Sequence, residues 1–515
     1  LLLINSISLS AQTHIVWQKK ADTSSAGNER AALVRTDSYG NVYTIGSTNP
    51  AGSVYRDILV VKYDSLGNEL WSAIFAGPSG RSENVSSAVI DKNNDLVLCG
   101  EYFNSSSIND VLIMKYSSTG QVMWMDTVDG PAQLYDKGFD LCVDDTNFIY
   151  ITGYMLGSSY SAFMMKYDPN GNMLWNKLLP ATQQGMLIRI YQGAIYLAAL
   201  TGPTGQPSHT SLTKLDSAGN IVWTYPINSD YRNIIRNLVF KDSLIYLLDE
   251  FLANQSSKNY FAIVCLDTSG AFKWKKKFIH SHTTETAGLG MYDSLLYVTV
   301  TEYDDSTYSR ASVVLRGISA ISGDSVFHVT WPQSPGFKDV VKGQQVNSNG
   351  IVTLWVAAAG DSLGQDISYF LVVFNPDGTL SYNERMTDTA AGADCDITAL
   401  TEKSLIVTAT IISGPMSYYK ISTWRFNDRI TNIELVRSPE KILVFPNPSG
   451  GYVTVRNPLE GTAYWKIFDE KGALVRSGLF YSQESTIHLE IPPGFYFIQI
   501  QLGKLFLNDK FVVIH

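Results

Sequence analysis

One ten-residue phrase recurs along the chain at nearly constant spacing. KYDSLGNELW occupies 62–71. It returns as KYSSTGQVMW (115–124), KYDPNGNMLW (166–175), KLDSAGNIVW (214–223) and CLDTSGAFKW (265–274). The tryptophans in this phase are Trp17, Trp71, Trp124, Trp175, Trp223 and Trp274, spaced 54, 53, 51, 48 and 51 residues apart. Phe327 and Tyr382 keep the phase, 53 and then 55 residues further on. A repeat of this length is a supersecondary unit that buries its apolar face only by stacking on its neighbours.

Each period has the same internal order. An apolar strand, a polar turn and a second strand come first, as in SSAVIDKNNDLVLCGEY (86–102). An almost wholly apolar strand follows, such as DILVVKY (57–63) or DVLIMKY (110–116), and it reads as buried on both faces. A turn then leads into the Trp strand. The turn residues are Asp64, Gly67, Gly120, Asp168, Gly171, Asp216, Gly219, Asp267 and Gly270, types that suit tight turns. Eight such hairpins can be counted. The eighth unit stops at STWRFNDR (422–429) without a Trp strand, while HIVWQKK (14–20) is a Trp strand without a hairpin. The two deficits complement each other. The predicted fold is an all-β, eight-bladed propeller closed by the N-terminal strand, with seven blades as the alternative if a weak unit within 275–430 forms none. The tryptophans are expected to pack the seams between blades, where Trp71→Ala would cost about 3–5 kcal/mol.

Composition agrees with this class. Of 515 residues 45% are apolar, 12% aromatic and only 17% charged. The net charge of −9 is spread along the chain without a Lys/Arg cluster, which argues against a nucleic-acid partner. Lys275, Lys276 and Lys277 read as a solvated strand end. The cysteines at 99, 142, 265 and 395 form no CxxC pair and read as buried thiols. LLLINSISLSAQ at the start reads as the end of a signal peptide, with cleavage after Ser10 or Ala11. No other segment has the length of a membrane helix.

Chemical motifs are sparse. His280 and His282 alternate but have no third ligand, and read as a surface loop. Asp91, Asn93 and Asp95 resemble half of a calcium loop, but the sixth-position Gly and a correctly spaced Glu are missing. No G-x-S-x-G elbow, H-E-x-x-H pair or phosphate-binding Gly loop occurs. No catalytic, cofactor-binding or metal-binding residue is assigned, and no cofactor is expected.

DILVVKYDSLGNELW (57–71) resembles the bacterial propeller repeat known as SBBP, which implies an architecture and no particular activity. The Asp-x-x-Gly-x-x-x-Trp core resembles the tryptophan-docking motif of eight-bladed quinoprotein dehydrogenases, which implies Trp packing between blades. The adjacent cysteines and calcium ligands of those enzymes have no counterpart here. The last 74 residues contain VFPNPSGGYVTVRN (444–457), YWKIFDEKGALVRSG (464–478) and STIHLEIPPGFYFIQIQ (485–501). They resemble a type A C-terminal sorting domain of the type IX secretion system, through Pro446, Asn447, Pro448, Asp469, Gly472, Gly494, Tyr496 and Lys510. The resemblance implies a small Ig-like antiparallel β-sandwich, a Bacteroidetes-type source, the export machinery as partner, and release or surface attachment after processing. Asp followed by Ser or Thr also resembles the O-glycosylation sequon of exported proteins from that group. The candidate acceptors are Ser65, Thr127, Ser217, Ser243, Ser294, Ser325, Ser362 and Thr389.

The expected layout is a signal-peptide remnant at 1–11, a propeller at 12–430, a linker at 431–441 and a sorting domain at 442–515. The expected function is a secreted or cell-surface binding or scaffold protein with a surface glycan or protein as ligand. The alternative is a secreted carbohydrate-active hydrolase or lyase with its site at the mouth of the propeller channel.

Overall fold

The computed structural model describes residues 15–513 apart from 22–27, 50–52, 54, 78–79, 105–107, 180, 203–208, 228–232, 252–259, 281–283, 304–309, 332–337, 360–366, 402–403, 414–417, 427–442, 446–451, 457–462, 471–472, 481–483 and 503–504. Every helix-or-strand element among these residues is a strand. The chain divides into two compact units, Leu1–Thr431 and Asn432–His515.

The first unit is a ring of blades. Blade 1 consists of Asn28–Thr36, Val42–Asn49, Asp57–Tyr63 and Glu69–Phe75, in that order across one antiparallel sheet. Five more four-stranded sheets repeat this order through Ser325–Trp331. The seventh and eighth blades are fused into one seven-stranded sheet, because Leu380–Thr401 runs unbroken for 22 residues. Its first part pairs with Ile367–Phe374 and its last part with Ser404–Ser413. Counted through this shared strand, the propeller has eight four-stranded units. The first strands of neighbouring blades meet one another around the axis.

Strand composition explains the layering. Asp57–Tyr63 is buried along almost its whole length, because neighbouring blades cover both its faces. The outermost Glu69–Phe75 alternates exposed and half-buried positions, as a strand with one solvated face should. The core lies in layers between blades. Tyr43, Ile45, Ile58 and Val60 of blade 1, for example, pack with Leu96, Leu98, Leu112 and Met114 of blade 2.

Closure uses the N-terminal strand. Ile15–Ala21 pairs antiparallel with Tyr418–Phe426, with Gln18 opposite Trp424. It thereby supplies the outer strand of the eighth blade. That blade is joined to the first by a shared core containing Trp17, Ala31, Val42, Ile406 and Ile421. The Ala31 amide donates to Thr410 Oγ1 at 3.0 Å, Val34 N–H donates to Asp396 Oδ2 at 3.0 Å, and Arg35 pairs with the same carboxylate at 2.7 Å.

The second unit has a three-stranded sheet, Leu443–Phe445, Tyr452–Arg456 and Glu484–His488, and a four-stranded one, Ala463–Asp469, Leu474–Phe480, Gly494–Leu502 and Leu505–Val513. One core joins them, with Val453, Val455 and Ile487 from the first and Trp465, Ile467, Ile498 and Ile500 from the second.

Deleting residues 1–21 should leave Tyr418–Phe426 as a bare edge and remove Trp17 from its seam. The expected loss is about 3–5 kcal/mol in thermal unfolding, with concentration-dependent self-association in solution. An unchanged midpoint in a monodisperse sample would contradict this closure.

Candidate functional site

The repeated phrase forms the turn between the third and fourth strands. Asp64 is its nucleus: Oδ1 accepts the Leu66 and Asn68 amides at 2.8 Å each, and Oδ2 accepts Asn68 Nδ2 at 2.9 Å. Asp168 and Asp216 do the same in later blades, and Asp267 Oδ1 accepts the Ser269 and Ala271 amides. These donors hold the Asp64, Asp168 and Asp216 carboxyls below the ordinary range, with the Asn four residues on in the same turn as the main cause. Asp267 is lowered chiefly by its bond to Lys273.

Each Trp ring meets the Gly of the next blade's turn. A Cβ placed on Gly120, where φ is +87°, would come within 2.7 Å of Trp71 Cδ2. The same contact joins Trp17 to Gly67, Trp124 to Gly171, Trp175 to Gly219, Trp223 to Gly270 and Trp274 to Gly323. Phe327 takes the place of Trp against Gly378. The indole N–H then donates to a turn carbonyl: Trp71 to Ser118 O at 3.0 Å, Trp124 to Pro169 O at 3.2 Å and Trp223 to Thr268 O at 3.3 Å.

The motif lysine was not singled out in the sequence, although it stands in four of the five copies of the phrase, with Cys265 in the fifth. Lys62 stands directly opposite Trp71 across the hairpin, and its ammonium donates to the same Ser118 carbonyl at 3.0 Å. Lys214 and Trp223 converge likewise on Thr268 O. Lys62 also pairs with buried Asp37 at 3.1 Å, and Lys115 with Asp91 at 2.8 Å and Asp95 at 3.3 Å. The third strand is thus not wholly apolar. The DKNND stretch is a hairpin turn built on Asp91, with the Lys115 ammonium against its carboxylates.

Three corrections concern burial. Trp71, Trp124, Trp175, Trp223 and Trp274 are half-buried on the outer strands, and only Trp17 is buried. The cost of Trp71→Ala is accordingly about 2 kcal/mol rather than that of a fully buried ring. His280 is not a surface-loop residue: its side chain is only 12% exposed and its Nδ1 lies 3.2 Å from Glu302, which also binds Arg316 at 2.9 Å. Lys275 turns inward toward Asp249 at 3.8 Å, whereas Lys276 reaches Asp324 at the surface. His282 lies outside the described residues. Cys99, Cys142 and Cys265 are free thiols, raised in pKa first of all by burial.

At the end of the ring where the first strands begin, several carboxyls are buried. Asp136 ties two loops, accepting the Gly130 and Leu156 amides. Asp249 accepts Asn233 Nδ2 at 2.6 Å, yet burial pushes it up to about 7. Glu83 is fully buried against the backbone of Gly77, where a Cβ would lie 2.1 Å from its Oε1. Burial, assisted by the Asp57 charge, pushes Glu83 up to about 7. The first strands of the seven blades up to Asp339–Val346 each carry a register shift at the same place, as between Ala31 and Leu33 or Gly138 and Asp140. Bulges of this kind re-aim side chains, and single strands gave no sequence signal for them. Among the described residues no group of three His, Cys, Asp or Glu is arranged to hold a metal.

The remaining sequence candidates are dispersed. Ser217, Ser243, Ser294 and Ser325 are exposed, while Ser65 and Thr127 are half-buried. Ser362 lies outside the described residues, as does the Thr389 side chain. In the second unit, Asp469 Oδ1 accepts the Ala473 amide at 2.8 Å, Tyr496 is buried and donates to Pro492 O at 2.8 Å, and Gly494 begins its strand opposite Val513. Pro446, Asn447, Pro448, Gly472 and the Lys510 side chain lie outside the described set, as do residues 1–11 and 431–441.

Comparison with known proteins separates the two units. Residues 443–514 match the family described as a secretion system C-terminal sorting domain. No curated protein matches the chain. Among solved structures, the quinohemoprotein alcohol dehydrogenase ADHIIG from Pseudomonas putida HK5 is 11% identical with a TM-score of 0.50, over 85% of this chain and 79% of that one. The β-propeller domain of the Trilobed protease from Pyrococcus furiosus is 10% identical with a TM-score of 0.42, over 70% and 96%. At these identities the likeness concerns fold alone. The first unit is a β-propeller, and the tail marks the chain for secretion by the type IX system. No helix among the described residues is long and apolar enough to cross a membrane.

Glu83 provides a test of the buried carboxyls. Its folded pKa of about 7 lies above the ordinary value of about 4.3. Its contribution is therefore most favourable below pH 4 and is lost as pH rises through 7. Glu83→Gln should gain on the wild type by roughly 2 kcal/mol between pH 5 and pH 8. A difference in unfolding free energy that does not change with pH would contradict the assignment.

Proposed function

We propose that the chain is a binding or scaffold protein of the cell exterior, carried across the outer membrane by residues 442–515. The observation that carries this reading is a propeller joined to a sorting tail. The repeated residues Asp64, Gly67, Trp71 and their equivalents serve the seams between blades. They act as architecture in this reading, which leaves ligand contact to the residues that differ between blades. A surface glycan or protein is the ligand class proposed, and release or surface attachment follows processing between 431 and 441.

The finer assignments belong to the same reading. The repeats are of the SBBP type, the tail is an Ig-like sandwich, and the source is of Bacteroidetes type. The exposed turn residues Ser217, Ser243 and Ser294, and Ser325 at the start of its strand, are the acceptors best placed for sugar addition.

Deleting residues 442–515 in a type IX-competent host should hold the propeller in the periplasm. Truncated protein recovered in the medium at wild-type levels would overturn the sorting role. The intact mass of wild-type protein from the medium or cell surface tests the acceptors: a mass equal to the bare processed chain excludes them.

A further inference from the structure

The register shift in each first strand displaces one residue, and a bulge re-aims the side chain it displaces. That residue is small in three blades, as Ala32, Ser86 and Ala287. In the third blade it is Phe139, the one aromatic residue among the seven. Two tyrosines extend it across the sheet. The Phe139 and Tyr154 rings lie 5.6 Å apart at a tilt of 55°, and Tyr154 meets Tyr160 edge-on at 5.0 Å. The three come from the first, second and third strands of the blade, at the end opposite the Asp-Gly turns. Ser47 in the first blade and Ala357 in the seventh hold the position of Tyr154. Tyr160 is 42% exposed, and Tyr135 on the adjoining loop 51%. A polar set borders the rings. The Lys137 ammonium stands 5.3 Å from the Phe139 ring centroid and 2.7 Å from Glu101 Oε1 of the preceding blade. Asn84 Nδ2 donates to Glu101 Oε2 at 3.2 Å. Burial first, and then the Glu101 charge, push the Tyr154 phenol up to about 12. Buried Asp136 fixes the frame, because it ties the loops on either side through the Gly130 and Leu156 amides.

We propose that Phe139, Tyr154 and Tyr160, with Glu101, Lys137 and Asn84, form a binding site for a neutral, helically coiled glycan. The inference rests on the binding role proposed above and names its ligand class. Apolar surface with a few placed polar groups is the usual make-up of a ligand site. Aromatic faces cover the C–H faces of sugar rings, and phenol hydroxyls add polar edges. The polar set selects a neutral ligand. A charged one would have to break the Glu101–Lys137 pair. Neighbouring sugar hydroxyls, each a donor and an acceptor, bond to the carboxylate and the ammonium while that pair stays intact. The ring geometry selects the shape. Rings inclined by 55° and 89° to one another follow a chain that turns from sugar to sugar, whereas a flat ribbon lies on only one of them.

The test titrates the full chain in a calorimeter with maltohexaose and laminarihexaose, whose chains coil, and with cellohexaose, whose chain is flat. One of the coiled glucans should bind at least tenfold more tightly than cellohexaose. Tyr160→Ala should weaken that binding at least tenfold, and Glu101→Gln severalfold. Thermal unfolding of Tyr160→Ala should match the wild type, since Tyr160 lies outside the core of its blade. Unchanged affinity in both variants would overturn the site and leave the binding role standing. Preference for cellohexaose, or no binding of any of the three at millimolar concentration, would overturn the coiled glycan as ligand and likewise leave that role standing. Release of shorter sugars from a probe would overturn the binding-protein reading instead, and loss of that release in the same two variants would uphold the site.

Discussion

The propeller depends on one contact made again at six seams, and with Phe327 at a seventh: an aromatic ring, an indole in the six, laid on the glycine of the next blade's turn. The approach is too close for any side chain at that position, and the glycine's left-handed backbone suits few other residues. The indole N–H and the motif lysine then share one carbonyl of the same turn, as Trp71 and Lys62 do on Ser118. The contact is therefore directional as well as apolar. It fixes the angle at which one blade follows another, and repetition of a fixed angle is what closes a ring. The same unit in an open array would leave two sheet edges bare.

Closure puts the two ends of the propeller chain in one blade. Trp17, near the start, meets Gly67 across the seam, while its strand pairs with Tyr418–Phe426 from the far end. Asp396 adds a second link near the axis by binding both Val34 N–H and Arg35. Asp140 repeats this arrangement at the seam between the third and fourth blades, binding Ile188 N–H and Arg189. The Asp396 bonds and the pairing of Ile15–Ala21 with Tyr418–Phe426 connect residues more than 300 positions apart, which gives the ring its dependence on an intact N-terminal strand.

Much of this architecture was legible because the repeat is periodic. Trp spacing located the outer strands, and the mismatch between STWRFNDR and HIVWQKK pointed to the shared last blade. What remained hidden was hidden for physical reasons. The buried lysines looked like ordinary strand residues, because nothing in a single strand shows that the next blade's turn carbonyl lies within reach. Glu83 and Asp249 look like surface acids until the ring closes over them, and their raised pKa values come from that burial. The half-exposure of the tryptophans follows from their place on the outer strand, which the spacing alone did not rank against full burial. The tail was legible in a different way: its turn and core residues resembled a known sorting domain.

The central claim is that Trp and Gly act as a pair across each seam. A double-mutant cycle between Trp71→Ala and Gly120→Ala measures this most directly, read as unfolding free energies of the propeller. In the wild-type background Gly120→Ala bears both the left-handed backbone penalty and the collision of its Cβ with the indole. With Trp71 removed, only the backbone penalty of about 1–2 kcal/mol should remain. The account expects a coupling energy of about 1 kcal/mol or more between the two sites. Additive effects, within about 0.5 kcal/mol, would show that the two residues do not meet across the seam.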